Sequence, residues 1–377
     1  MQFRDLGAQY AALKDEIDAG IAQVLDSSRF IFGPQVAMLE QALADYVGVK
    51  HCVSCANGTD ALQLALMAWG VGPGDAVFTA DFTFFASAGC ASILGATPVL
   101  VDIDPRTFNI CPDALEAAIR RVEKEGKLRP KVIIPVDLFG LPADYPRIRQ
   151  IAQKHGLRIL EDGAQGFGGQ IGEKKACSFG DMATTSFFPA KPLGCYGDGG
   201  AIFTDDDATD ELLRALRAQG RSPEDKYDNR LIGMNSRLDT LQAAILLPKL
   251  RAFARYEVDW ANKVAGWYTQ RLSGLVEVPY MPEGYRSSWA QYTILLRDRA
   301  QRDGLQAALK AQGIPTMVYY PRGLHQQTAY AGMALSDADF PHTARAAGRV
   351  LSLPMHPYLK EEEVEQVANA VASYLKA

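Results

Sequence analysis

The chain predicts an α/β protein in two unequal parts: a large domain on a parallel or mixed sheet, residues 1–245, and a smaller α+β domain, residues 246–377. Three observations predict it. The 377 residues exceed the roughly 100–200 of one ordinary domain. From about residue 15 to residue 205 helical periodicity alternates with short apolar runs, as in a sheet covered by helices. Beyond residue 275 a short β–α–β pattern follows a long helical stretch.

HCVSC (51–55) is strand-like, and TDALQLALMAWG (59–70) is helical, with apolar positions at 62, 64, 66 and 69 and Gly70 as a stop. AVFTA (76–80), TFFASAGCASILG (83–95) and TPVLVDI (97–103) continue as strand, helix and strand. CPDALEAAIRRVEKEG forms a helix and KVIIPVDL (131–138) a buried strand. PADYPRIRQIAQKHG is a helix started by Pro142, and GLRILEDGAQ (156–165) a strand running into a loop. DMATTSFF (181–188) and GGAIFTD (199–205) complete the β-like set. Helices are expected over 206–219 and 236–275, the second long enough to join two lobes. WAQYTILLRD (289–298), a helix over 300–312 and one from about 360 make up the tail.

Hydrophobic residues are 48% and charged residues 22%, ordinary for a globular enzyme with a large core. A formal net charge of −5 provides no global field to gather nucleic acid or anionic lipid, so any anionic ligand is held locally. The first residues are charged from the fourth onward and lack the apolar core of a secretory signal, and no apolar run approaches the ~18 residues of a membrane span. Six scattered cysteines read as reduced thiols of a cytoplasmic protein; Cys52 and Cys55 form one C-x-x-C without a second pair, so no metal site is expected. Asn57-Gly58-Thr59 matches a glycosylation acceptor but, without a signal peptide, calls for another explanation.

Ligands of open α/β sheets collect at the carboxyl ends of strands, and three such ends carry reactive residues. Gly58 and Thr59 stand where a strand gives way to a helix: a cradle for phosphate, or a helix start capped by Asn57 or Thr59. Asp162 follows the apolar LRIL, where it either terminates a turn or holds a protonated ring nitrogen. Lys191 lies in FFPAKPLGCYGDGG, stiffened by prolines and flanked by glycines that let backbone crowd a ligand. It is either a solvated turn lysine or a desolvated nucleophile for an aldehyde. Phosphate, ring nitrogen and aldehyde are the three handles of pyridoxal 5′-phosphate.

These residues, in the order Gly58-Thr59, Asp162-x-Ala164-Gln165, Ser186-Phe187-Phe188, Lys191 and Asn235-Ser236-Arg237, resemble the DegT/StrS family of sugar-nucleotide aminotransferases. The likeness runs through FRDLGAQY, ANGTDALQLAL, DIDPRTFNI, EDGAQGFG, MNSRLDTLQAAIL and LSLPMHPYL, nearly the whole chain. It implies the aspartate aminotransferase-like fold (fold type I) and transfer of an amino group from L-glutamate to a keto-sugar nucleotide. Within the family the resemblance is strongest to the branch acting on UDP-2-acetamido-2-deoxy-3-oxo-glucuronate, for surface polysaccharides such as lipopolysaccharide O-antigen. It also implies roles: Lys191 bonds the cofactor aldehyde and then moves the proton, Asp162 faces the ring nitrogen, Gln165 the ring hydroxyl, and Phe84 and Ala164 the two ring faces. Gly58, Thr59 and Ser186 hold the phosphate, joined by Asn235 from the other subunit of a homodimer. Arg237, Tyr319 and Tyr320 are implied in sugar binding. Phe84 stands where the family commonly has Tyr or Trp, and Tyr319 where relatives often have His.

Other readings are an aminotransferase for a 4-keto-6-deoxy sugar, and a dehydratase of the same family, against which Lys191 argues because that branch carries histidine there. A nicotinamide-dependent sugar oxidoreductase needs an early G-x-G-x-x-G, which GFGGQI and GDGGAI do not supply. A non-catalytic regulator on this fold is the remaining one. The five histidines show no metal spacing; His325 and His356, near the expected sugar pocket, serve equally well as packing residues.

Overall fold

The structure is a computed structural model and describes residues 1–222, 224–225 and 227–376. Seven strands form its main sheet: β1 His51–Cys55, β2 Asp75–Ala80, β3 Thr97–Val101, β4 Arg129–Ile134, β5 Arg158–Asp162, β6 Met182–Ser186 and β7 Gly200–Thr204. They lie in the order β1-β7-β6-β5-β4-β2-β3. Only β7 runs against its neighbours; the β2–β3, β2–β4, β4–β5 and β5–β6 pairs are parallel. The carboxyl ends of β1, β2, β4, β5 and β6 therefore open on one edge.

The parallel strands are apolar on both faces because helices cover both. Alternate residues of β4 show it. Ile133 packs with Phe78, Ile159, Leu115 and Ile148 against α5 (Pro112–Glu125) and α6 (Tyr145–His155). Val132 and Ile134 pack with Val77, Leu160, Leu64 and Leu213 against α3 (Gly58–Ala68) and α7 (Asp207–Leu216).

The alternation begins earlier than residue 15, with α1 (Leu6–Ser27) and α2 (Pro34–Val47). Helix α4 spans Ala86–Ile93, not 83–95, leaving Thr83 and Phe84 in the loop after β2. Helix α6 does not start at Pro142: Asp144 accepts from Arg147 N, and Pro146 occupies its first turn. The expected helix at 236–275 is α8 (Thr240–Ala252), one π turn (Phe253–Glu257) and α9 (Val258–Leu272) in succession. Leu246, Leu250 and Phe253 pack in the sheet-bearing part, whereas Tyr268 and Leu272 sit in a second core. That core joins α10 (Arg299–Ala311), α12 (Glu361–Lys376) and a two-stranded antiparallel sheet of β8 (Tyr292–Leu295) and β9 (Val350–Leu353). Helix α11 (Pro341–Arg349) leads into β9. We propose residues 1–245 and 246–377 as two units that share this helical spine. Among the described residues no helix is long and apolar enough to cross a membrane.

Candidate active site

A cleft of about 640 Å³ opens at the carboxyl edge of the sheet. Its walls carry Gly58 and Thr59 after β1, Thr83 and Phe84 after β2, Val136 after β4, Asp162, Ala164 and Gln165 at the end of β5, and Ser186 and Lys191 after β6. Val318, Tyr319 and Tyr320 from the loop before α11 close the far side.

Asn57 caps α3 by accepting from Asp60 N at 2.8 Å, which accounts for the N-G-T triplet as a helix start. The first N–H groups of the helix, at Gly58 and Thr59, have no acceptor within it. A Cβ on Gly58 would lie 2.7 Å from Ser186 Cβ, so glycine is what lets the helix start meet the end of β6. The hydroxyls of Thr59 and Ser186 and these N–H groups form a compact donor set suited to a phosphate.

Asp162 is 5% exposed. One of its oxygens accepts from the Ser87 hydroxyl at 2.8 Å and the other from Ala164 N at 3.2 Å. Burial raises its pKa, opposed by these two donors and by the Lys191 charge. A cationic N–H against it would hold the carboxylate ionised. Lys191 shows the converse. Burial lowers its pKa, the Arg4 charge lowers it further, and Asp162 opposes both. Its main chain is tied in a tight turn, Lys191 N donating to Phe188 O at 2.8 Å. A desolvated lysine in electrostatic range of a buried acid, beside a phosphate-type helix start, fits pyridoxal phosphate in size and in the order of its handles.

Gln165 donates to the Tyr320 hydroxyl at 3.1 Å and accepts from Phe139 N at 2.9 Å, which fixes its amide at the cleft wall. Phe84 and Phe188 are more than half exposed at the mouth. Asn235 and Arg237 do not line this chain's own cleft; Ser236, between them, is buried and accepts from Ala56 N. His325 and His356 are buried outside it. The sequence reasoning missed Ser87, Thr83, Asp198 and Gln291. Ser87 lies in the first turn of α4, and its bond to Asp162, like the placement of the other three, follows from chain packing alone.

Lysine and acid on adjoining strand ends of this sheet, with a smaller C-terminal part over the cleft, define a fold type I enzyme dependent on pyridoxal phosphate. The chain belongs to the DegT/DnrJ/EryC1/StrS aminotransferase family, whose model matches residues 11–372. Among curated proteins it is 48% identical to a UDP-2-acetamido-2-deoxy-3-oxo-D-glucuronate aminotransferase of Pseudomonas aeruginosa over 99% of this chain and 100% of that one. It is 46% identical to a pleiotropic regulatory protein of Geobacillus stearothermophilus, over 99% and 98% of the two chains. A UDP-N-acetyl-3-dehydro-alpha-D-glucosamine 3-aminotransferase of Acidithiobacillus ferrooxidans is 45% identical, over 97% and 96%. Among solved structures, a family aminotransferase from Brucella abortus superposes with TM-score 0.97 at 48% identity over the full length of both chains. NtdA of Bacillus subtilis with bound cofactor PMP superposes with TM-score 0.87 at 29% identity, covering 97% of this chain and 82% of that one.

Proposed function

We propose that the enzyme moves the amino group of L-glutamate to the C3 keto carbon of UDP-2-acetamido-2-deoxy-3-oxo-glucuronate, in the cytoplasm, on the route to a surface polysaccharide such as lipopolysaccharide O-antigen. The observation that carries the transfer chemistry is Lys191 placed with Asp162 in one cleft. The choice of sugar rests on two relatives named for 3-oxo or 3-dehydro UDP-sugars.

Pyridoxal phosphate, when bound, supplies an aldehyde that carries nitrogen and a ring that accepts the electron pair left at the substrate carbon. Lys191 would hold the cofactor aldehyde between turnovers, and its Nζ, freed in each half-reaction, would serve as the base and then the acid that carries a proton between the substrate carbon and the cofactor. Its lowered proton affinity leaves a share of the amine uncharged for this work. Asp162, gripped by Ser87 and Ala164, keeps the ring nitrogen protonated. Gln165 orients the ring hydroxyl, while Phe84 and Ala164 confine the two ring faces. Gly58, Thr59 and Ser186 take the phosphate. Glutamate gives up nitrogen and leaves as 2-oxoglutarate before the keto sugar enters, so one cleft serves two substrates in turn.

The cleft carries Asp162 and Asp198 against a single lysine, yet a phosphate, a nucleotide sugar and a uronate are all anions. The missing positive charge is assigned to a second copy. Asn235 and Arg237 lie on a segment where Ile232 is 90% exposed. In a homodimer Asn235 of the partner subunit reaches the phosphate and Arg237 of the partner subunit grips the sugar carboxylate by its fork of donors. Tyr319 and Tyr320 bound the sugar.

Purified enzyme with glutamate and a panel of UDP- and dTDP-linked keto sugars tests this. The 3-keto uronate is expected to gain nitrogen at C3. Turnover restricted to a neutral 4-keto-6-deoxy sugar overturns the sugar assignment. A regulatory role without turnover is the second reading, favoured by the name of the Geobacillus relative; glutamate-dependent amination excludes it.

A further inference from the structure

Residues 1–5 precede α1 and run beside the loop that carries Lys191. Arg4 reaches into that loop: its Nη2 donates to Lys191 O at 2.7 Å and to Pro192 O at 3.0 Å, across 187 and 188 residues of sequence. These carbonyls need an outside donor. Pro189 and Pro192 have no N–H to offer, and the turn's own bond, from Lys191 N, is spent on Phe188 O.

The strap is held at each side of Arg4. Phe3 O accepts from Met355 N at 3.1 Å, and Asp5 caps α1 by accepting from Ala8 N at 2.8 Å. Behind the guanidinium stands Glu257, 2% exposed, the last residue of the π turn between α8 and α9. Gln9 Nε2 donates to it at 2.9 Å and the Tyr358 hydroxyl at 2.7 Å, so the carboxylate is fixed before it faces Arg4. A π turn inside a long helix re-aims side chains, which is why such turns recur at functional sites. Two other buried bases lie within the field of Arg4. Burial and the Arg4 charge push Lys249 down to about 8 and His356 down to about 4. Burial lowers Arg4 as well, to about 10, opposed by Glu257, so the guanidinium is charged throughout the neutral range whereas Lys249 begins to lose its proton near the top of it.

We propose that Arg4 is a positioning residue for transamination: buried in the field of Glu257 and bonded to the carbonyls of Lys191 and Pro192, it anchors the main chain of Lys191 and so sets where the lysine amine stands in the cleft. This rests on the assignment of Lys191 under Proposed function. Its positive charge also disfavours a proton on the lysine nitrogen.

The holoenzyme is compared as wild type, Arg4→Met, Arg4→Gln and Arg4→Lys, with the pH midpoint of the bound cofactor's visible absorbance and the split of kcat from KM as readouts. Arg4→Met is expected to raise the midpoint by the equivalent of roughly threefold in proton affinity. It is also expected to lower kcat about tenfold with KM for glutamate changed less than about twofold. Arg4→Lys, with charge and donors retained, recovers most of both. Should Arg4→Met fail to fold, Arg4→Gln decides, with the same upward shift expected. A wild-type midpoint and kcat in the neutral variant, whatever its melting temperature, overturns the proposal. Lys191→Ala separates the two claims. If it keeps bound colour and turnover, the lysine assignment falls and Arg4's role with it; if it loses both while Arg4→Met behaves as wild type, only the role of Arg4 falls.

Discussion

Asp162 shows at the scale of one residue how the fold prepares chemistry. Burial raises its pKa, and the Ser87 hydroxyl and Ala164 N–H oppose that. Asp162→Asn keeps shape but removes the charge that holds a ring nitrogen protonated. Turnover is expected to fall by at least about 100-fold while colour remains, which absorbance and steady-state kinetics read together. Ser87→Ala removes only one of the two donors. Its kcat is expected to fall about three- to tenfold, in line with the roughly 0.5–1.5 kcal/mol net worth of one hydrogen bond. Sequence alone exposed Lys191, because proline and glycine around a lysine are a local anomaly. It could not expose Ser87 or Arg4, whose meaning comes from partners 75 and 187 residues away.

Among the elements, the loop bearing Tyr319 and Tyr320 is tied to the end of β2 by His325. Its Nδ1 meets Asp81 at 2.6 Å, its Nε2 meets Asp337 at 2.9 Å, and its backbone N–H donates to Asp81 at 2.8 Å. Burial would lower the imidazolium's proton affinity, but the bonds to Asp337 and Asp81 outweigh it and raise the pKa above the usual histidine value. Asp81 also stays above its usual range, since burial outweighs what His325 returns. A base whose folded pKa is raised stabilises fully below its unfolded pKa and loses that contribution as pH climbs through the folded one. His325→Gln should therefore melt roughly 2–5 °C below wild type near pH 6, with the gap narrowing toward pH 9, by calorimetry. A gap that widens with pH contradicts the latch. Gly323 is part of it: a Cβ there would sit 2.3 Å from Asp81 Oδ2. Most β-strands and helices were legible from periodicity, since each has one or two apolar faces to bury. β9 was not, because VLSL is a strand only by virtue of β8 beside it. The start of α6 was misplaced because Pro142 and Pro146 both satisfy the first-turn preference, and only the Asp144 cap decides.

Across the whole molecule, the succession α8, π turn and α9 runs from the core beside the sheet to the core around β8 and β9, and the cleft lies between the carboxyl edge of the sheet and the segment carrying Val318, Tyr319 and Tyr320. Composition and charge set the class of molecule; the likeness over nearly the whole chain set the family. The positive charge the cleft lacks is proposed to come from Arg237 of a second copy, a role the Asn235-Ser236-Arg237 motif suggested and one chain by itself does not display. Mixed dimers test that directly. Lys191→Ala and Asn235→Ala homodimers are both expected to be inactive, whereas mixing them should regain activity from the one cleft that receives an intact Lys191 and an intact partner Asn235. No recovery on mixing, with dimers present by light scattering, contradicts a shared site.

The most direct test of the account is Lys191→Ala, purified with added pyridoxal phosphate and assayed for borohydride-fixable cofactor and for glutamate-dependent amination of the keto sugar. The account predicts a folded dimer with neither. A variant that still fixes cofactor covalently and still moves nitrogen at the wild-type rate would show that the chemistry resides elsewhere.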